Sequence, residues 1–409
     1  MLNPKTKERE LAYIVTIDDI LPIEGADRVE VAIVGGWRIM VRKGQFKSGD
    51  FAVYFEIDSK VPAEEPFLFL VGKHFKIKTQ KYFKGAVLSQ GLLMSFTDFK
   101  DEQGRPPSWM FAFNLFVAQG GDWENDACRF LTKELGVTYA SEEDNKRKAS
   151  SGDKYKKMAG RHPKIFRNPF IKWLYKKNWG KKLLFIFFGK AKDKKNGWPV
   201  WVAKTDEERI ENLPHYLADK CEWIATEKVD GSSSTFTIKR KKGFKKNEFF
   251  VCSRNVCFDS PDKPCYYDTN IYFEIAYKYN MENILTKLLE EFPNANWITI
   301  QGEIYGAGVQ KRNYSMTERD FKAFNLIIDG KGRLNSIEMT KILSKYNLPC
   351  VDILNECYIL PDTIEELRNY VNSEGSRIDG EIKEGIVFRS LDGIRSFKCV
   401  SPEFLLKYH

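Results

Sequence analysis

Lys228 stands in the run ATEKVDGSSSTF, residues 225–236, where an apolar strand-like stretch gives way to Val-Asp-Gly and three serines. A lysine there is either a solvated surface charge or an amine held in place as a nucleophile. The second role requires its pKa, ordinarily about 10.4, to be perturbed by burial or by neighbouring charge. Four other spots stand out: Ser253-Arg254-Asn255 and Gln301-Gly302-Glu303-Ile304-Tyr305-Gly306 end strands, Glu384-Gly385-Ile386-Val387-Phe388-Arg389 begins one, and Ser396-Phe397-Lys398 lies on the last. Glycine flanks several of them, as it does where backbone turns sharply or comes close to a ligand. Asp230, Glu303 and Glu384 are hard oxygen donors suited to Mg²⁺ or Mn²⁺, directly or through its waters. Arg254 and Lys398 supply positive charge. Each has a plainer reading: Arg254 pairing with Glu227 across two strands, Glu303 and Glu384 as exposed strand-edge carboxylates, and Phe324 in FKAFNL as a core side chain.

These residues must be positioned by a sheet-rich second domain. From Trp198 onward, strand-like stretches are expected at 221–227, 234–239, 248–253, 297–304, 321–328, 384–390 and 394–400. Helical patterns fall at about 269–291, 336–346 and 363–372. Asp329-Gly330-Lys331-Gly332 and Asp392-Gly393 read as hairpin turns, so much of this sheet is expected to be antiparallel with helices outside. Ahead of it, Val29/Val31/Ile33, Trp37/Ile39/Val41 and Phe51/Val53/Phe55/Ile57 alternate as half-buried strands do, separated by Gly-containing turns. With short strands near 67–71 and 91–96 they predict a small closed β-barrel, an OB-fold or an SH3-like barrel.

The expected fold is therefore α+β, divided as a barrel domain at 1–145, a basic aromatic-containing linker at 146–195 and a second domain at 196–409. The chain's net charge of +9 is concentrated in the linker, where eighteen Lys or Arg face only Asp153 and Asp193. Phe166, Phe170, Trp173, Tyr175 and Trp179 are set among those cations. The combination suits nucleic acid, with cations on phosphate and rings on bases, and equally suits a solvated linker whose rings pack on a neighbour.

Other classes are excluded by composition. Hydrophobic content of 43% with 14% aromatics argues for a folded protein. Apolar runs such as LLFIFF at 183–188 are far shorter than the roughly 20 residues that span a bilayer, and the N-terminal residues lack the apolar core of a secretory signal. An intracellular, soluble protein is expected. The eight cysteines form no C-x-x-C pair and, with four histidines, no zinc pattern or disulfide framework.

The order Lys228, Arg254, Glu303, an aromatic strand, Glu384-Gly385 and Lys398 resembles motifs I, Ia, III, IIIa, IV and V of the covalent nucleotidyltransferases, the ATP- or NAD-dependent polynucleotide ligases and mRNA capping enzymes. Such a domain is built of ATP-grasp-like antiparallel sheets with flanking helices. Three further features narrow the resemblance: a barrel before the catalytic domain, only 11 residues after Lys398, and the runs WPVWVAKTDEERIENLP at 198–214, SQGLL at 89–93 and SFKCVSPEFLLKY at 396–408. The chain is similar to the fifth family of ATP-dependent RNA ligases.

The resemblance implies a sealing reaction in three steps. Lys228 takes AMP from ATP, AMP passes to a 5′-phosphate end, and a 3′-hydroxyl displaces it. It places Glu227 at the adenine edge, Phe324 under the adenine ring and Gly231 beside the nucleotide. Arg254 falls on the ribose or the strand, Asp230, Glu303 and Glu384 around Mg²⁺ or Mn²⁺, and Lys398 on the α-phosphate. Lys204 and Arg209 fall on the outgoing phosphates. The partner implied is nicked duplex RNA or an RNA/DNA hybrid clamped by the OB domain of a monomer that uses no membrane. One departure is that Val400 replaces the second lysine of the K-x-K often seen in motif V, so Arg395 or Lys407 must supply that contact or it is dispensed with. A GTP-using guanylyltransferase and a non-catalytic RNA-binding protein remain open as alternatives.

Overall fold

The computed structural model describes residues 1–139, 171 and 198–408, apart from 4, 7, 84–86, 102, 204, 242–245 and 264. The linker expected at 146–195 thus lies, Ile171 aside, outside the described residues. The chain divides into two compact units. One contains Met1–Ala140, Asp206–Ser232 and Ile300–His409, and the other Ser141–Thr205 and Ser233–Thr299.

The first unit begins with the expected barrel. Strands β1 (Ala12–Thr16), β2 (Asp19–Pro22), β3 (Val29–Val34), β4 (Trp37–Arg42) and β5 (Phe51–Phe55) are followed by β6 (Ser59–Lys60), β7 (Gln80–Tyr82), β8 (Val87–Ser89) and β9 (Leu92–Ser95). Alternation sets the facing: in β4, Trp37, Ile39 and Val41 are buried while Arg38 and Arg42 are exposed. β5 pairs antiparallel with β1 and β9, and β3 with β2 and β4. The Gln90 N–H to Arg38 carbonyl bond of 2.8 Å and the Met40 N–H to Ser89 Oγ bond of 3.0 Å close the circuit. The resulting neighbour order is that of an OB barrel. The run expected as a strand near 67–71 is instead a 3₁₀ helix, Leu68–Lys73, ended by left-handed His74 with φ of 52°. Helix α1 (Ser108–Ala118) buries Met110 and Phe113 against the barrel, and β10 (Thr138–Tyr139) pairs with β6.

The rest of the chain carries strands β11 (Glu222–Lys228), β12 (Ser232–Lys239), β13 (Glu248–Ser253), β14 (Cys257–Phe258), β15 (Trp297–Gly306), β16 (Arg319–Ile328), β17 (Gly332–Arg333), β18 (Ile353–Ile359), β19 (Gly385–Ser390) and β20 (Ser396–Val400). The helices are α2 (Ile271–Lys278), α3 (Met281–Glu291), α4 (Ser336–Ser344), α5 (Ile364–Asn372) and α6 (Pro402–Tyr408). In the first unit, one sheet runs β18-β11-β19-β20, all antiparallel, with α5 on it. β15, β16 and β17 are neighbours, and the hairpin at Gly330 pairs Ile328 with Gly332. In the second unit, β12 pairs with β13 from Ser234↔Ser253 to Lys239↔Glu248, and α2 and α3 bury one apolar face each. The single helix expected over 269–291 is broken because Tyr279 caps α2 and Asn280 is left-handed, φ 50°. Among the described residues no helix is long and apolar enough to cross a membrane, and all eight cysteines are free.

Candidate active site

β11 is held between β18 and β19, and register places Lys228, its last residue, opposite Gly385 and Glu227 opposite Ile386. Glu384, just ahead of β19, therefore meets the lysine: Lys228 Nζ lies 2.6 Å from Glu384 Oε1. Burial lowers the amine's pKa, but Glu384, Glu303 and Asp230 together outweigh it and raise the pKa above its ordinary value. Beyond Lys228 the chain turns through buried Val229, which packs with Tyr305, Tyr314 and Val351, and the Asp230 N–H donates to the Tyr314 hydroxyl at 2.7 Å. Gly231 is required by close approach. A Cβ there would stand 2.2 Å from the Ile304 carbonyl oxygen and 3.0 Å from Glu303 Cγ, so only glycine lets the turn seat against β15.

Lys228 is half-buried, whereas Lys398, on β20 opposite Val387, is buried. Its Nζ lies 2.7 Å from Asp206 Oδ1, and its backbone N–H donates to the Glu208 carbonyl at 2.7 Å. Burial first, then the cations Arg9, Arg209 and Lys228, bring its pKa down to about 8 against the opposing pull of Asp206. Arg209 bridges to Lys398 by backbone pairing. Its guanidinium is 3.2 Å from Asp58 of the barrel and stands over the Trp37 ring, while its Nε is buried without a hydrogen-bond partner. Arg9 is fixed by Glu56 at 2.8 Å. Lys398, Arg209 and Arg9, paired with Asp206, Asp58 and Glu56, thus lie near the carboxylates that act on Lys228.

Three carboxylates converging on one amine are costly unless a cation offsets them. Asp230 is pushed up to about 7, by burial and then Glu384, against Lys228, Arg312 and Lys311. Among the described residues Glu384 Oε2, which is buried, has no hydrogen-bond partner. These donors fit a divalent ion. Among the described residues no three His, Cys, Asp or Glu side chains form a metal-binding group.

Glu227 is buried, accepting from the Ser376 hydroxyl and from the Arg377 N–H at 2.8 Å, which ties β11 to the loop before β19. Arg254 follows β13 in the second unit and is half-buried there. Phe324 on β16 is half-buried against Tyr305, Tyr314 and Val229, the residue after Lys228. Lys204 lies outside the described residues. Val400 is buried in the barrel core with Trp37 and Tyr54, so an ammonium at that position would be buried in apolar surroundings. Neither expected substitute points to the pocket's cations: Arg395 is tied to Asp219 and stacks over Trp223, and Lys407 lies 3.1 Å from Glu381.

Sequence reasoning passed over Asp206, Arg9, Tyr314 and Arg312. Asp206 had a signal, since it sits in KTDEER between Lys204 and Arg209. Arg9 had none, because its neighbours in space come from Glu56 and from residues two hundred positions away.

A family model described as RNA ligase matches residues 221–409, and one described as an OB-fold domain matches 11–96. No curated protein matches by sequence. Among solved structures, the chain is similar to the RNA ligase of Naegleria gruberi. A variant without ligand is 25% identical with a TM-score of 0.67, covering 98% of each chain. The form with pyrophosphate is 25% identical with a TM-score of 0.67, covering 98% of this chain and 99% of that one. A variant with ATP and Mn is 25% identical with a TM-score of 0.66 over the same shares.

Proposed function

We infer that the chain, whose residues 221–409 match the RNA ligase family, is an ATP-dependent ligase joining RNA 3′-hydroxyl and 5′-phosphate ends through AMP carried on Lys228. The observation that carries the assignment of Lys228 is its amine at the end of β11, 2.6 Å from Glu384, with Lys398 buried nearby.

In the first step Nζ attacks the α-phosphorus of ATP, a P–N bond forms, and the P–O bond to pyrophosphate breaks. Lys398, Arg209 and Arg9 offer positive charge where the phosphates leave. In the second step an oxygen of the RNA 5′-phosphate attacks the AMP phosphorus and the amine leaves. In the third the 3′-hydroxyl attacks the activated 5′-phosphate and AMP departs. Asp230, Glu303 and Glu384 would hold Mg²⁺ or Mn²⁺, which when bound offsets their charge and that of the phosphates. Phe324 and Glu227 border the adenine, Gly231 lets the backbone approach the nucleotide, and Arg254 and Lys204 would reach ribose, strand or outgoing phosphates. The substrate is a nick in duplex RNA or an RNA/DNA hybrid, and the enzyme acts as a monomer.

Intact-protein mass spectrometry after incubation with ATP and Mg²⁺ tests this. One added AMP on the wild type and none on Lys228→Ala is expected. Labelling by GTP in place of ATP would point to a guanylyltransferase, and no adduct with either would end the ligase reading. Sealing assays on nicks with RNA or DNA on each side then fix the substrate.

A further inference from the structure

Two thiols face each other at the base of the hairpin that carries Arg254 in the second unit. β13 and β14 run antiparallel with Cys252 directly opposite Cys257, and both are free cysteines, 0% and 4% exposed. The Ser253 N–H donates to the Val256 carbonyl at 2.8 Å, so the cysteines occupy the adjoining non-hydrogen-bonded pair of the ladder. Residues opposed at such a position bring their Cα atoms to about 4.5 Å and send their side chains to one face, within the reach of a disulfide. Beyond the pair, Arg254 and Asn255 alone form the tip between Ser253 and Val256. A change in the spacing of the pair therefore moves the tip.

The two sulfurs are not equivalent. The Cys252 thiol donates a hydrogen bond to Cys257, which together with Lys263 holds Cys257 below its ordinary pKa against burial and Asp259. The same bond, and then burial, push Cys252 well above that value. Cys257 is thus the readier thiolate, the nucleophilic form, while Cys252 keeps its proton. Among the described residues β14 is the edge strand of its sheet. Cys257 borders an open cleft of about 480 Å³ whose walls include Phe250, Phe273 and Glu282, which gives a small oxidant a route to the sulfur.

We propose that Cys252 and Cys257 form a reversible disulfide, with hydrogen peroxide as oxidant, that displaces the Arg254 tip. The Cys257 sulfur attacks one peroxide oxygen and the O–O bond breaks. The other oxygen leaves as hydroxide and takes up the proton that Cys257 gave up, which leaves a sulfenic acid on Cys257. The Cys252 sulfur then attacks the Cys257 sulfur, the S–S bond forms, the S–O bond breaks, and water departs with the Cys252 proton. The two sulfurs together lose two electrons and the peroxide gains them. A disulfide holds its Cβ atoms about 3.5–4.5 Å apart, against about 4.5–5.5 Å for opposed sheet residues, so closing it draws β13 and β14 together beside Arg254. The bond itself is independent of the ligase reading. Its consequence, withdrawal of Arg254 from ribose or strand, rests on that reading.

Trypsin cuts after Arg254, between the two cysteines, so the disulfide shows as two joined peptides. The full chain is treated with hydrogen peroxide, blocked with N-ethylmaleimide and mapped by mass spectrometry, with the exposed Cys357 as internal reference. The joined peptides are expected ahead of any oxidation at Cys357, and dithiothreitol should separate them. In Cys252→Ser, dimedone should trap a sulfenic acid at Cys257. Sealing of a 5′-phosphorylated nick in duplex RNA is expected to slow about tenfold or more on oxidation, to recover with dithiothreitol, and to resist peroxide in Cys252→Ser/Cys257→Ser. Oxidation of Cys357 ahead of any joined peptides would overturn the proposal, as would oxidised and reduced protein that seal alike. A wild type that takes no AMP in either state would end the ligase reading, while the peptide map would still confirm or overturn the disulfide.

Discussion

Lys228 Nζ and Glu384 Oε1, 2.6 Å apart, form an ion pair between the proposed nucleophile and one of the carboxylates proposed to hold its metal. The pairing sets two requirements against each other, because Glu384, Glu303 and Asp230 raise the amine's pKa while attack needs it deprotonated. A divalent ion among the carboxylates offsets them. The pH midpoint of single-turnover adenylylation is therefore expected to fall as Mg²⁺ is raised from limiting to saturating concentration. Rapid-quench labelling across pH at several ion concentrations measures it, and a midpoint independent of the ion would refute the coupling.

Lys398 leads to an expectation of opposite sign for folding. Its pKa in the fold is about 8, below the ordinary 10.5, so between those values the unfolded chain binds more protons and stability rises with pH. The stability of the wild type relative to Lys398→Met should thus increase from pH 8 to 10, at up to about 1.4 kcal/mol per unit. Urea denaturation of both at pH 7.5 and 9.5 reads the difference. The variant should also lose AMP labelling.

Much of this was legible before the structure. Alternation in 29–57 and the Gly-rich turns predicted the barrel, and motif spacing pointed to Lys228, Asp230, Glu303, Glu384 and Lys398, of which the fold sets Glu384 2.6 Å from Lys228 and Glu303 and Asp230 near enough to act on its amine. What escaped did so for physical reasons. β18, ILNECYI, is an edge strand with four exposed residues and so lacks the apolar alternation that marks a half-buried strand. Leu68–Lys73 has strand-like composition, but its chain reversal depends on left-handed residues that propensity disfavours. The salt bridges of Glu56 and Arg312 join residues far apart in sequence, where no spacing rule reaches.

Arg312 provides a third test. It is 3% exposed, its guanidinium lies 2.5 Å from Asp379 Oδ1, and it stacks over Tyr314 at 4.1 Å. It thereby fixes the loop whose Ser376 and Arg377 hold Glu227. Arg312→Ala leaves Asp379 buried and unpaired, at a cost of about 3–5 kcal/mol. A fall in urea midpoint accompanied by weaker ATP use is expected. A destabilised variant with an unchanged KM for ATP would show that the loop does not position Glu227 for the nucleotide.

Glu56 joins the barrel to the catalytic sheet. It is fully buried, pairs with Arg9 at 2.8 Å, and accepts from Tyr13 and from Asn212, at 3.1 and 3.0 Å, while the Trp37 indole donates to Asn212 at 2.7 Å. Burial raises its pKa, but the Met1 ammonium and Arg9 prevail and hold it well below the ordinary 4.5. A depressed carboxylate contributes stability that is present above its unfolded value and lost as pH falls through the folded one. The gap between wild type and Glu56→Gln should therefore be widest near neutrality and begin to close below about pH 4.5. Glu56→Ala should cost about 3–5 kcal/mol by stranding Arg9 and the Met1 ammonium, whereas Glu56→Met/Arg9→Met should recover part of that loss because the Arg9 charge goes with its partner. Since Arg9 also acts on Lys398, the partly recovered double variant is expected to fold yet label more slowly with ATP. Full labelling in it would remove Arg9 from the phosphate pocket.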